Sequence, residues 1–245
     1  MSMDFLNEVD MGVVLQVEEL EKKFSNNGYN GSGYDWFKLC EGDIPIMISA
    51  PHTVNHFSRG KVKYAEILTG GIAEYLQRQT NCHLIYTACH ENADANRDSM
   101  DICLYKQKLL EYVLTNNIKL LIDLHGMKIN SDYAIELGTG GYGNPTLIES
   151  GFIADTVEEV IGSSLRKYLD EDNKQIVRNV RFAARGENTI TNFISRKSRI
   201  PCLQLEIGGE YRDIKKPERL EALIRGLQSV IEILVVNLER GKYEN

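Results

Sequence analysis

The chain has 245 residues, 42% hydrophobic and 26% charged, which is ordinary for a soluble globular protein with a substantial core. A formal net charge of -7 argues against a general nucleic-acid binder, because such proteins draw their affinity from Lys and Arg set against phosphates. No apolar stretch reaches the roughly 20 residues that span a bilayer, and the acidic start MSMDFLNEVDMGVVLQV lacks the basic region of a signal peptide. Five cysteines form no C-x-x-C pair, so reduced thiols in a cytoplasmic protein are expected. With no repeat or low-complexity linker, residues 1–245 are expected to form one domain.

In chain order, the Asn- and Gly-rich stretch 26–35 suits an exposed loop. IPIMISA (44–50) reads as a strand. Residues 64–79 then place Ala65, Leu68, Ile72, Ala73 and Leu76 on one face of a helix. HLIYTA (83–88) is a strand, 105–116 a helix, and KLLIDLH (119–125) and YAIELG (133–138) are strands. A helix over 155–169 precedes strands QIVRNVRF (175–182) and CLQLEIG (202–208). From Pro217, suited to a first helical turn, the stripe Leu220, Leu223, Ile224, Leu227, Ile231, Leu234, Val235 and Leu238 predicts a long amphipathic helix that Gly241 stops. Several strands are apolar throughout, which implies burial on both faces. The alternation predicts a three-layer α/β/α sandwich with a mostly parallel, mixed sheet, whose ligands bind beyond the carboxyl ends of the strands.

Three strands end in residues that a plain connection does not need. IPIMISA runs into Pro51, His52 and Thr53; KLLIDLH ends at Asp123, Leu124 and His125; CLQLEIG carries Glu206. Metal hydrolases commonly combine two His and a carboxylate, leave one position open for water, and use a further carboxylate to take that water's proton. A lone His52 would be an ordinary hydrogen-bonded strand-end histidine; the pairing with His125 is what points to a metal. Asp123 and His125 are two apart on one strand and therefore share a side, so Asp123 can orient the imidazole. Glu206 lies between Leu205 and Ile207, where an acid is costly without a partner; a salt bridge to Arg212 is the purely structural alternative. In HENADANRD (90–98), Arg97 has the planar fork that grips a carboxylate, against the alternative of a solvated loop. GTGGYG (138–143) fits G-x-G-x-x-G literally, but Asn144 and Pro145 stand where a dinucleotide fold opens its helix, so no dinucleotide cofactor is expected.

These residues resemble, in order and spacing, the N-formylglutamate amidohydrolase-like family, itself distantly similar to zinc carboxypeptidases and succinylglutamate desuccinylases. The resemblance runs over about 44–242 and rests on SAPHTV with His52, GKVKYAEILTG with Glu66, DANRD, LIDLHG with His125, and LQLEIGGEYRD with Glu206. It implies a phosphorylase/hydrolase-like fold, one zinc per chain, and cleavage of an amide beside a carboxylate-bearing group. His52 and His125 become zinc ligands and Glu206 the general base. Asn96 and Arg97 look like the pair that holds a substrate carboxylate, with Arg212 as a further orienting cation. Carboxypeptidases place the ligand Glu three residues after the first His, and that position here is Asn55. Glu66, expected on the helix after the His52 turn, is preferred as third ligand, with Asp94 its rival and a solvated helix-face Glu the bland alternative. The expected substrate is a small acidic N-acyl amino acid. Two other readings stay open at this point: a peptidase or aminoacyl-tRNA deacylase on the same frame, and an inactive carboxylate-binding protein.

Overall fold

The structure, a computed structural model, describes residues 11–24, 36–89, 93–141 and 144–241. The expected loop at 26–35 and the end of GTGGYG lie outside those residues. Helix α1 (Met11–Glu21) precedes strands β1 (Phe37–Cys40) and β2 (Ile44–Ala50). A hairpin of β3 (His56–Ser58) and β4 (Lys61–Lys63) follows, turned at Arg59 and Gly60, both with positive φ as a two-residue loop requires. Then come α2 (Thr69–Thr80), β5 (Cys82–Thr87), α3 (Leu104–Thr115), β6 (Leu120–Gly126), β7 (Ile135–Gly138), α4 (Leu147–Asp172), β8 (Ile176–Arg178), α5 (Ile190–Ser198), β9 (Cys202–Ile207) and α6 (Pro217–Glu239).

Seven strands form one sheet in the order β1-β5-β2-β6-β9-β7-β8. The β5–β2, β2–β6, β6–β9 and β7–β8 pairs are parallel, and β1–β5 and β9–β7 antiparallel, so the sheet is mixed and mostly parallel, as expected. Period-2 alternation divides its side chains between two cores. Ile46, Ile48, Leu120, Ile122, Leu203 and Leu205 pack with residues of α1, α2, α4 and α6. Met47, Ile85, Leu121 and Cys202 pack with α3 and α5. The same alternation puts Ser49, Asp123, His125, Gln204 and Glu206 on the α3/α5 side, toward the carboxyl ends of the three central strands. In register, Ser49 lies beside Asp123 and Asp123 beside Gln204, while His125 lies beside Glu206 and Glu206 beside Glu136.

Several boundaries differ from the sequence reading. The helix expected over 64–79 begins at Thr69, because Leu68 takes a left-handed conformation (φ 69°) and the Glu66 amide bonds His52 O at 2.8 Å instead of a helical carbonyl. Glu21, at the end of α1, accepts the amides of Leu68 and Gly71 and so caps α2. Helix α4 starts eight residues before the expected 155, and β8 keeps only the first half of 175–182. Beyond Arg178 the chain leaves the sheet because Asn179 (φ 56°) and Ala184 (φ 52°) turn it over the end of β7, where Glu136 accepts the amides of Arg181 and Phe182. Helices α1 and α5 and strands β1, β3 and β4 were not foreseen. Among the described residues, no helix is long and apolar enough to cross a membrane.

Candidate metal centre

His52 ends the turn after β2, His125 lies near the end of β6, and Glu66 stands three residues before α2. The structure brings these three together, and the ligand atom each offers lies within 4.8 Å of the others. Glu66 is not on a helix as expected. Its backbone bond to His52 O pins it beside the first histidine, and its carboxylate bridges both rings: Oε1 is 2.9 Å from His52 Nδ1 and Oε2 is 3.1 Å from His125 Nδ1. Gly126 N also donates to Oε2.

The far nitrogen of each ring has its own carboxylate. His52 Nε2 is 3.1 Å from Asp94 Oδ1, and His125 Nε2 is 3.0 Å from Asp123 Oδ2. A proton on Nε2, facing its carboxylate, would leave the Nδ1 of each ring to take a cation on the Glu66 side. Asp94, the rival third ligand, thus meets the far nitrogen of His52 and not the side shared with His125. Asp123 is oriented in turn: Ser49 Oγ donates to its Oδ1 at 2.9 Å, and Tyr105 OH lies 2.9 Å from Ser49 Oγ. Ser49, Tyr105 and Asp123 are fully buried.

The donor set suits zinc. Two imidazole nitrogens and a carboxylate, each offering a ligand atom within 4.8 Å of the others, are a set that zinc takes in hydrolase sites. The electrostatics agree. Burial works to raise the Glu66 carboxyl, but the charges of His52 and His125 outweigh it and hold it well below the ordinary value. Burial likewise works to lower both imidazoles, yet Glu66 with Asp94 raises His52, and Asp123 with Glu66 raises His125. The carboxylates call for positive charge at the Nδ1 atoms, which a divalent cation would supply by displacing protons.

His56, which the sequence reading overlooked, completes a second cluster with His52 and Asp94. Its ring stacks on His52 with centroids 4.1 Å apart and planes 6° from parallel. The in-plane lone pairs of parallel stacked rings run side by side and do not converge on one ion, and His52 Nε2 is engaged by Asp94. Burial, then the neighbouring His52, pushes His56 down to about 4, so it packs against His52 as a neutral ring. The H-x-x-x-H spacing from His52 to His56 was its only trace in the sequence.

Glu206 borders the same cleft as the triad, a cavity of about 1030 Å³. Gln204 Nε2 donates to its Oε1 at 2.9 Å, and no ion pair with Arg212 forms among the described residues. Burial pushes the Glu206 carboxyl up to about 7 against the pull of His125.

Arg212, expected to orient the ligand, borders the cleft. Its Nε, Nη1 and Nη2 each donate to a backbone carbonyl, of Ile207, Ile67 and Met127, which anchors the guanidinium to three segments. Asn96 braces the wall: Oδ1 accepts Ile190 N at 2.9 Å, tying its loop to α5. Arg97 is exposed and borders the cleft. Lys106, buried in α3 and also missed, donates to Asp98 O and Asn188 O and so holds the Arg97 loop against the approach to α5.

Neither a family profile nor a curated protein matches the chain in sequence. Solved structures do match in three dimensions. N-formylglutamate amidohydrolase from Ralstonia eutropha JMP134 superposes with a TM-score of 0.58 at 15% identity, over 85% of this chain and 100% of that one. The fold is shared. A gene product of Agrobacterium tumefaciens gives a TM-score of 0.56 at 9% identity, over 89% of this chain and 99% of the other. The resemblance read from the motifs and the fold it implied therefore agree with the architecture.

Proposed function

We propose that the protein is a zinc-dependent amidohydrolase acting on an acidic N-acyl amino acid, with His52, Glu66 and His125 holding one zinc per chain. The observation that carries this reading is the placing of two Nδ1 atoms on one carboxylate, with a separate acid behind each ring. A zinc held there would act as a Lewis acid toward the substrate carbonyl and lower the pKa of water. Glu206 takes a proton from the attacking water and delivers it to the leaving nitrogen. The amide C–N bond breaks, the water oxygen enters the new carboxylate, and the amine leaves. Arg97 receives the substrate carboxylate through paired hydrogen bonds.

The test is elemental analysis of purified protein together with hydrolysis of N-formylglutamate and other N-acyl amino acids. About one zinc per chain is expected, and loss of the metal in the His52→Ala/His125→Ala double variant. Unchanged metal content in that variant refutes the site.

A further inference from the structure

The two sides of the cleft differ in kind. On the α3/α5 side stands Arg97, in a loop that Asn96 and Lys106 tie to α5 and the segment before it. The other side is built from the segments that carry or follow the metal-binding residues, where apolar side chains alternate with Lys63, Lys128 and Lys215. Tyr64 and Ile67 flank Glu66, Met127 and Ile129 follow His125, and Ile214 follows the turn after β9; all border the cavity that contains His52, Glu66, His125 and Glu206.

These apolar residues are open to solvent. Tyr64 is 81% exposed, Ile67 66%, Ile129 68% and Ile214 39%. Scattered exposed apolar residues need no explanation, but a set sharing one concave surface beside polar chemistry marks a binding site. The surface is also held in place. Arg212 ties the carbonyls of Ile67 and Met127 together, and Gly209 lets the chain pass so close to Ile129 that a Cβ there would stand 2.8 Å from its amide. A formyl group, with no carbon beyond the carbonyl, would leave this surface uncovered.

We propose that the acyl group of the substrate is an apolar chain of several carbons or an aromatic ring, lying on Tyr64, Ile67, Ile129 and Ile214 while Arg97 holds the amino-acid carboxylate. This rests on the amidohydrolase reading and narrows its substrate class. Hydrolysis then releases an apolar carboxylate and an acidic amino acid, with water supplying the oxygen and the proton on the departing amine.

The experiment is a chain-length series on the zinc-loaded protein, from N-formyl- and N-acetyl- to N-butanoyl- and N-hexanoylglutamate. Burying a methylene is worth about threefold to fourfold, so kcat/KM should rise about 100-fold from acetyl to hexanoyl. Ile129→Ser combined with Ile214→Ser, both at exposed positions, should cut the hexanoyl-to-acetyl ratio at least about tenfold. The Glu206→Gln variant, measured by calorimetry, should bind N-hexanoylglutamate more tightly than N-acetylglutamate, a readout independent of turnover. A flat or falling series with short substrates still cleaved overturns the apolar subsite and leaves the amidohydrolase reading standing. No zinc uptake and no cleavage at any length overturns both.

Discussion

Glu206→Gln should stabilise the chelator-stripped protein at alkaline pH while abolishing most of its activity when zinc is restored. Glu206 is 4% exposed, and burial raises its carboxyl from 4.5 to about 7. A carboxyl raised on folding keeps its proton in the native state while the unfolded chain has lost it, so its favourable contribution is complete below about 4.5 and is lost as pH rises through about 7. At 1.36 kcal/mol per pH unit, the loss by pH 8 is on the order of 3 kcal/mol, and at pH 5 it is under about 1 kcal/mol. Glutamine stays neutral and can keep the bond from Gln204, so it avoids that loss. Urea unfolding of wild type and variant at pH 5 and pH 8 measures it: the variant should gain on the order of 3 kcal/mol at pH 8 and little at pH 5. With zinc restored, kcat should fall about 10² to 10⁴, the usual worth of a general base. A variant destabilised at pH 8, or shifted equally at both pH values, refutes the reasoning, since Glu206 would then be a stabilising charge.

Asp123→Asn should weaken zinc about 10- to 100-fold in chelator competition, because an amide can no longer fix the His125 proton on Nε2. Ser49→Ala should weaken it by less, about tenfold at most, by freeing the Asp123 carboxylate; zinc binding unchanged in both variants would show the buried hydrogen-bond chain to be scaffold only. Arg97→Ala should raise KM for acidic substrates with little change for neutral ones, and an equal loss for both would assign Arg97 to holding its loop.

The sheet and much of the site were legible because both follow from a two-residue period. Apolar residues at 120, 122, 203 and 205 mark one buried face, and Asp123, His125 and Glu206 then fall together on the other without any knowledge of the fold. What was illegible depends on contacts distant in sequence. The helical stripe beginning at Ala65 continues smoothly into α2, and nothing local reveals that the Glu66 amide is taken by His52 O. Helix α5 buries Thr191, Asn192 and Ser195 along with its apolar residues, so its inner face shows no clean apolar stripe. Arg212 has the sequence appearance of a ligand-binding cation, and nothing local reveals that it also anchors three distant backbone carbonyls.

The choice between Glu66 and Asp94 illustrates the same limit and bears on the role proposed for Glu206. Either acid suits a two-histidine site by residue type; the decision lies in which ring nitrogen each meets. Asp94 and Asp123 take the Nε2 atoms, Glu66 takes both Nδ1 atoms, and each of these carboxylates is committed to a histidine. The histidine bond and charge hold Asp94 below its ordinary range despite burial, as the two imidazoles do Glu66. Glu206, beside His125 in register and hydrogen-bonded among the described residues by the Gln204 amide, is pushed the other way. Acids in one cleft whose environments drive them apart divide the work of orienting, ligating and moving protons. Glu206 can gain and lose a proton near neutral pH without releasing a histidine, which is the requirement for the group that carries a proton from water to the leaving nitrogen.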